Sequence, residues 1–158
     1  MSLSRESCHA LFELVVHAVW ADDRVAAEEI PVARAAARLF HPDGEEGARG
    51  RLALGPEVPL PDLARSLRGR ESALGFAVAA WVVLADGVER PCETAMLDRF
   101  RLLSGVPRDV ALSMRRAVSR ARAARPEPLD DQLRLLLHEA GAALAPAVKS
   151  ARASGERQ

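Results

Sequence analysis

A ten-residue segment recurs after sixty-four positions with no gap: WADDRVAAEE at 20–29 returns as LADGVERPCE at 84–93. In each copy an apolar run closes on Ala-Asp (Asp22, Asp86), a Glu follows the Asp by seven residues (Glu29, Glu93), and a new amphipathic run begins. The flanks keep the same register. Phe12 matches Phe76, and Val32, Ala33, Ala36 and Leu39 match Met96, Leu97, Phe100 and Leu103. A gapless match of this length points to two helical hairpins descended from one unit. It confines the chain to folds that can hold such a pair.

Apolar spacing sets the elements. Leu11, Leu14, Val15, Ala18 and Val19 recur at helical intervals and predict a helix over 4–21, broken by Asp22 and Asp23. A second helix is expected over 27–40, with Glu28 and Glu29 in a first turn where negative charge suits the macrodipole. Pro31 lies early enough in it to be tolerated. The second half repeats the plan. A helix over 71–85 is apolar on nearly every side, as the central helix of a bundle would be, and one over 91–104 carries Pro91 in its first turn. Gly105 and Pro107 then stop and restart the chain, and two further helices are expected over 107–124 and 129–149. Residues 41–61, HPDGEEGARGRLALGPEVPLP, concentrate Gly and Pro and read as a long connection with a short helical segment near 60–68.

The expected fold is therefore all-α. It is a helical bundle in one domain, 1–150, with hairpin repeats at about 4–40 and 71–104, a connection over 41–70 and C-terminal helices over 107–149. The end of the chain, 151–158, is expected to be a flexible tail. Composition agrees, since Ala and Arg abound, Tyr is absent and Val is the one common β-branched residue. A hydrophobic share of 49% with 28% charged residues marks a soluble globular chain. The 22 basic residues equal the 22 acidic ones, which excludes a global attraction to nucleic acid or anionic membrane. The most apolar run, 74–85, falls well short of the ~20 residues that a membrane span needs. The opening MSLSRESCHALFELVV has neither the basic region nor the cleavage site of a secretory signal, so a cytoplasmic protein is expected. Cys8 and Cys92 lie in no metal or redox spacing and read as reduced thiols.

Asp22, Glu29, Asp86 and Glu93 are the candidate site. Each Asp closes one helix and each Glu opens the next, so a tight hairpin brings the two together. If the hairpins pack with their turns at the same end, four carboxylates converge. Such a group is repulsive until a cation, a raised pKa or hydrogen bonds relieve it. A hard divalent cation such as Ca²⁺ or Mg²⁺ takes oxygen ligands, and carboxylates with turn carbonyls supply them. An ordinary local role competes with this reading. Asp accepts backbone N–H bonds in turns and Glu is favoured in first turns, so capping accounts for all four without a ligand.

Other constellations carry less. A di-iron bundle needs Glu-x-x-His pairs, and none of His9, His17, His41 and His138 follows a Glu by three. His17 holds the repeat position of Trp81, and packing is its expected role. Trp20 and Trp81 are expected as core or interface anchors. Residues 115–125, RRAVSRARAAR, form the one basic run, with Arg115, Arg116, Arg120, Arg122 and Arg125 opposite an apolar face. No aromatics interleave it, so a solvated face is expected ahead of nucleic-acid contact. Neither a nucleophile–base pair nor a glycine-rich phosphate loop is visible, and no catalytic residue is assigned.

An apolar helix ending in Ala-Asp-Gly, a Glu seven residues beyond the Asp and a second amphipathic helix, present twice, is similar to the TerB-like family. That family is named for bacterial tellurite-resistance proteins and includes the N-terminal domain of a membrane-anchored DnaJ-like co-chaperone. The resemblance covers 11–104 and extends over 107–149 only as further helices. It implies an all-α fold, a cytoplasmic stress-related setting, no established enzymatic activity and acidic residues that are candidate ligands for a divalent metal. Asp23 stands where the family has Gly, so the first copy is expected to differ in geometry or ion binding. The leading expectation is a non-enzymatic module acting through protein contacts. The alternatives are a metal-dependent enzyme using the carboxylate cluster and, after it, a nucleic-acid binder using 115–125.

Overall fold

The computed structural model describes residues 2–125 and 127–155, with side chains described as far as Ala145. Among the described residues the chain is all-helical, and helices pack on helices throughout. The first hairpin is α1 (Arg5–Val19) and α2 (Glu29–Phe40), followed by α3 (Gly44–Leu54) and α4 (Leu60–Ser66). The second is α5 (Arg70–Val83) and α6 (Pro91–Ser104), followed by α7 (Arg108–Ala124) and α8 (Leu129–Gly155). Among the described residues no helix is long and apolar enough to cross a membrane.

The centre of the bundle is α5, which is buried at every position from Ser72 to Val83, as its all-round apolar sequence requires. It packs on α1, α6, α7 and α8, while α1 packs on α2, α4 and α5. The two hairpins meet through α1 and α5, and repeat-equivalent residues touch there. Ser7 Oγ–H donates to Glu71 Oε1 at 2.6 Å, and these two positions are sixty-four apart. One turn further on, Leu11 faces its own equivalent Gly75. A Cβ on Gly75 would stand 3.5 Å from Leu11 Cδ2 and only 3.2 Å from Leu14 Cδ2. Two successive turns of α1 thus meet the same two turns of α5 in the same order. The helices run side by side in one direction, so their C-terminal turns lie at the same end of the bundle.

The stretch 41–61 departs from the long connection expected of it. Gly44, Gly47 and Gly50 argue against helix there on propensity, yet α3 forms. Tertiary contacts supply what propensity withholds. Arg51 of α3 pairs with the buried carboxylate of Glu13 and reaches the Gly55 carbonyl. Trp20 Nε1–H donates to the Leu52 carbonyl at 2.8 Å, Ala48 is fully buried, and Arg34 and Arg38 both bond Glu45. His17 Nε2–H donates to the Val58 carbonyl at 2.6 Å, so it anchors this insertion in addition to packing. The short helix expected near 60–68 is α4.

Glu13, His17 and Trp20 of α1 therefore hold the insertion, whereas the matching face of α5 holds the C-terminal helices. Trp81, the equivalent of His17, donates its indole N–H to Gln132 Oε1 of α8 at 2.7 Å, and the carbonyl of Leu84, the equivalent of Trp20, accepts from Arg122 of α7. One hairpin design thus carries two different flanks. The last helix runs past the expected 149 to Gly155, into the stretch expected as tail, and 156–158 lie outside the described residues.

Glu13 is 1% exposed, and its partner comes from an element with little helix propensity of its own. Glu13→Ala is expected to destabilise the protein by about 2 kcal/mol, because Arg51 keeps only the exposed carboxylate of Glu57 as a counter-charge. Glu13→Leu combined with Arg51→Met should recover most of that loss. Urea unfolding of the three proteins measures both effects.

Candidate functional site

The two acidic turns match hydrogen bond for hydrogen bond. Asp22 Oδ1 accepts the Arg24 N–H at 3.1 Å, and Asp86 Oδ1 accepts the Val88 N–H at 2.9 Å. Glu29 Oε2 accepts the Ala26 N–H at 2.8 Å, and Glu93 Oε2 accepts the Arg90 N–H at 2.7 Å. The Asp23 N–H reaches the Trp20 carbonyl as the Gly87 N–H reaches that of Leu84. Each Asp makes an Asx turn that ends one helix, and each Glu accepts the N–H three residues before it, which in copy two completes a capping box at the start of α6. All four candidate residues therefore have the local role that capping chemistry assigns them.

The altered geometry expected of the first copy, where Asp23 replaces Gly, does not occur in the backbone. Asp23 sits at φ 59° and Gly87 at φ 82°, both left-handed. Asp is among the side chains that tolerate this region, and the surrounding hydrogen bonds hold it there.

Beyond capping, the four carboxylates feel one another, as parallel α1 and α5 require. Glu29 and Glu93 are 3% and 1% exposed, and Asp22 and Asp86 are half-buried. Burial pushes the Glu29 carboxyl up to about 7, and the charges of Asp22, Glu93 and Asp86 add to the rise against the Ala26 hydrogen bond. Glu93 is raised as well, by burial first and then by Asp22 and Asp86, while the Arg90 N–H and guanidinium hold it back. Asp86 goes the other way, held down first by the Val88 N–H and then by Arg90.

Arg90 has no counterpart in the first copy, where Ala26 takes its place. Its Nη2 lies 2.8 Å from Asp86 Oδ2 and its Nη1 3.7 Å from Glu93 Oε1, so the second turn carries its own counter-cation. Sequence reasoning missed this residue, although its position four after Asp86 is a signal for an ion pair.

Two observations bear on a divalent cation. Glu93 Oε1 is buried without a hydrogen-bond partner, and such an oxygen suits a hard ion. Against this, among the described residues no three His, Cys, Asp or Glu side chains stand close enough together to hold a metal. Asp22, Glu29, Asp86 and Glu93 share an electrostatic neighbourhood, but as arranged they do not fit around one ion.

The basic run is largely spent inside the molecule. Arg115 bonds Glu89 at 2.8 Å and lies over the Phe76 ring, Arg120 bonds Glu139 at 2.8 Å, and Arg122 donates to the Leu84 carbonyl. Three of the five arginines that would meet phosphate are thus engaged. Cys8 and Cys92 are free, Cys8 half-buried and Cys92 exposed.

Fold and site together define an all-helical bundle of two repeated hairpins with a paired acidic end. Comparison with known proteins returns no match, whether to a family model, a curated protein or a solved structure.

The raised Glu29 carboxyl makes stability depend on pH. The folded state holds this proton up to about 7, whereas the unfolded chain releases it near 4.5, so stability falls as pH rises through that window. Glu29→Gln keeps the oxygen that accepts the Ala26 N–H and removes the ionisation. It should match the wild type near pH 5 and exceed it at pH 8 by an amount on the order of 1–3 kcal/mol, measured by urea unfolding at both pH values.

Proposed function

We propose that this chain is a non-enzymatic, cytoplasmic helical module of the TerB-like kind, acting through a protein contact in a bacterial stress-response setting, with its paired acidic turns as the contact surface. The observation that carries the reading is the convergence of two equivalent turns on one end with their carboxylates coupled. Exposed apolar side chains accompany them: Val25 is 38% and Val88 58% exposed, each three residues or fewer beyond the Asp of its turn. Apolar groups set among buried and half-buried carboxylates favour a partner that brings both an apolar anchor and a basic group. The stress-response setting rests on the resemblance of the duplicated motif alone.

A divalent cation at the same end is a second reading, favoured by the unpartnered Glu93 Oε1. It requires an ion to displace Arg90 from Asp86 and Glu93.

Two measurements test these readings. In affinity capture from the native host, a protein retained by the wild type should be lost from Val88→Arg, with unchanged thermal stability, and from Asp22→Arg, which also gives up the Asx turn and lowers Tm slightly. Equal retention by both variants would contradict the contact surface. Calorimetric titration of chelator-treated protein with Ca²⁺ and Mg²⁺ tests the cation. The second reading expects binding that Glu93→Gln abolishes and Arg90→Ala strengthens, and heats no larger than those of dilution would end it.

A further inference from the structure

The repeat provides an internal comparison away from the acidic cluster. A cavity of about 270 Å³ opens in the first copy between the end of α1, the first turn, α2 and α3. Val19, Trp20, Val25, Ile30, Ala33 and Leu52 form its apolar lining. The matching positions of the second copy carry different chemistry. Ala33 becomes Leu97, which is fully buried, and Val25 and Ile30 become Glu89 and Thr94. Copy two therefore has a filling side chain where copy one has a methyl group, and polar groups where copy one exposes carbon. The remaining wall, α3, aligns with the start of α7, where Arg49 becomes Ser113 and Leu52 becomes Arg116.

The lining indicates what would enter. The Trp20 indole N–H is already satisfied by the Leu52 carbonyl, so the ring offers only its apolar surface. Val25 and Ile30 remain 38% and 40% exposed around the recess, which solvent gains little by wetting. Its rim is cationic. Arg34, Glu45 and Arg49 line it, and the one acid among them is bonded by Arg34 at 3.2 Å and by Arg38 at 2.8 Å. Among the described residues Arg49 makes no ion pair, and it leaves a positive charge beside an apolar recess. The volume lies just under the ~300 Å³ at which pockets for drug-sized ligands begin, so the fit is to a smaller molecule.

We propose that this cavity binds a small amphiphilic anion of the medium-chain or aryl carboxylate class, with its apolar body against Trp20 and Ala33 and its carboxylate toward Arg49. The site borders the first acidic turn through Val25 but uses none of the four carboxylates.

Titration with octanoate, and with octanol as its uncharged counterpart, tests this through tryptophan fluorescence. Trp20 lines the cavity, whereas Trp81 is 1% exposed and bonded to Gln132, so a saturable change reports on Trp20 and should vanish in Trp20→Phe. Ala33→Leu imports the residue of copy two and should abolish binding without lowering Tm. Val25→Glu, at an exposed position, should weaken octanoate about fivefold more than octanol, the effect expected of one like charge a few ångströms away in water. No saturable signal in the wild type, or octanoate affinity unmoved by Val25→Glu, overturns the proposal. Octanol binding as tightly as octanoate overturns its anionic part. Should Ala33→Leu fail to fold, Val25→Glu and Trp20→Phe decide the matter by themselves.

Discussion

Gly75 lets α1 and α5 approach until equivalent turns of the two hairpins touch, and the acidic end follows from that contact. A side chain there would press on Leu14 and Leu67 at 3.2 Å, both part of the closely packed core. With the glycine in place, Leu11 meets its own repeat equivalent, and Ser7 bonds Glu71 one turn earlier. Contacts in that order are available only to helices running the same way. Parallel α1 and α5 deliver both Asp turns to one end, and the remaining helices fit around the pair.

At that end, local and collective chemistry coincide in the same four side chains. Each carboxylate satisfies a backbone N–H that a helix boundary would otherwise leave exposed. The duplication then sets two capped boundaries side by side, and the charges that serve each turn oppose one another. The two copies relieve this differently. Copy two supplies Arg90 against Asp86 and Glu93, whereas copy one has Ala26 there and leaves Glu29 with a carboxyl raised to about 7. The copies share their backbone and differ in how their charge is balanced. Copy one also differs beside α2, where Ala33 leaves open a space next to α3.

The hairpins are legible in the amino-acid sequence because a gapless repeat preserves both the apolar stripe and the capping residues. The centrality of α5 is legible for a related reason, since a helix apolar on all sides has nowhere else to go. What the sequence leaves illegible is carried by tertiary contact. Helix α3 is written in glycines and forms through Glu13, Trp20 and the α2 arginines, residues that lie up to thirty-eight positions away along the chain. The shared direction of α1 and α5 depends on which faces meet, and a hairpin pattern does not state that. Asp23 misleads propensity reasoning because the hydrogen bonds of its turn override a modest backbone preference.

The central claim is that Glu29, Asp22, Asp86 and Glu93 form one coupled electrostatic unit at a shared end. Titration of the Glu29 side-chain carboxyl by carbon-detected NMR tests it most directly, in the wild type and in Asp86→Asn and Glu93→Gln. Coupling predicts a midpoint near 7 in the wild type and a fall in both variants, although both substitutions lie on the other hairpin. A Glu29 midpoint near 4.5, or one unmoved by either substitution, would contradict the account.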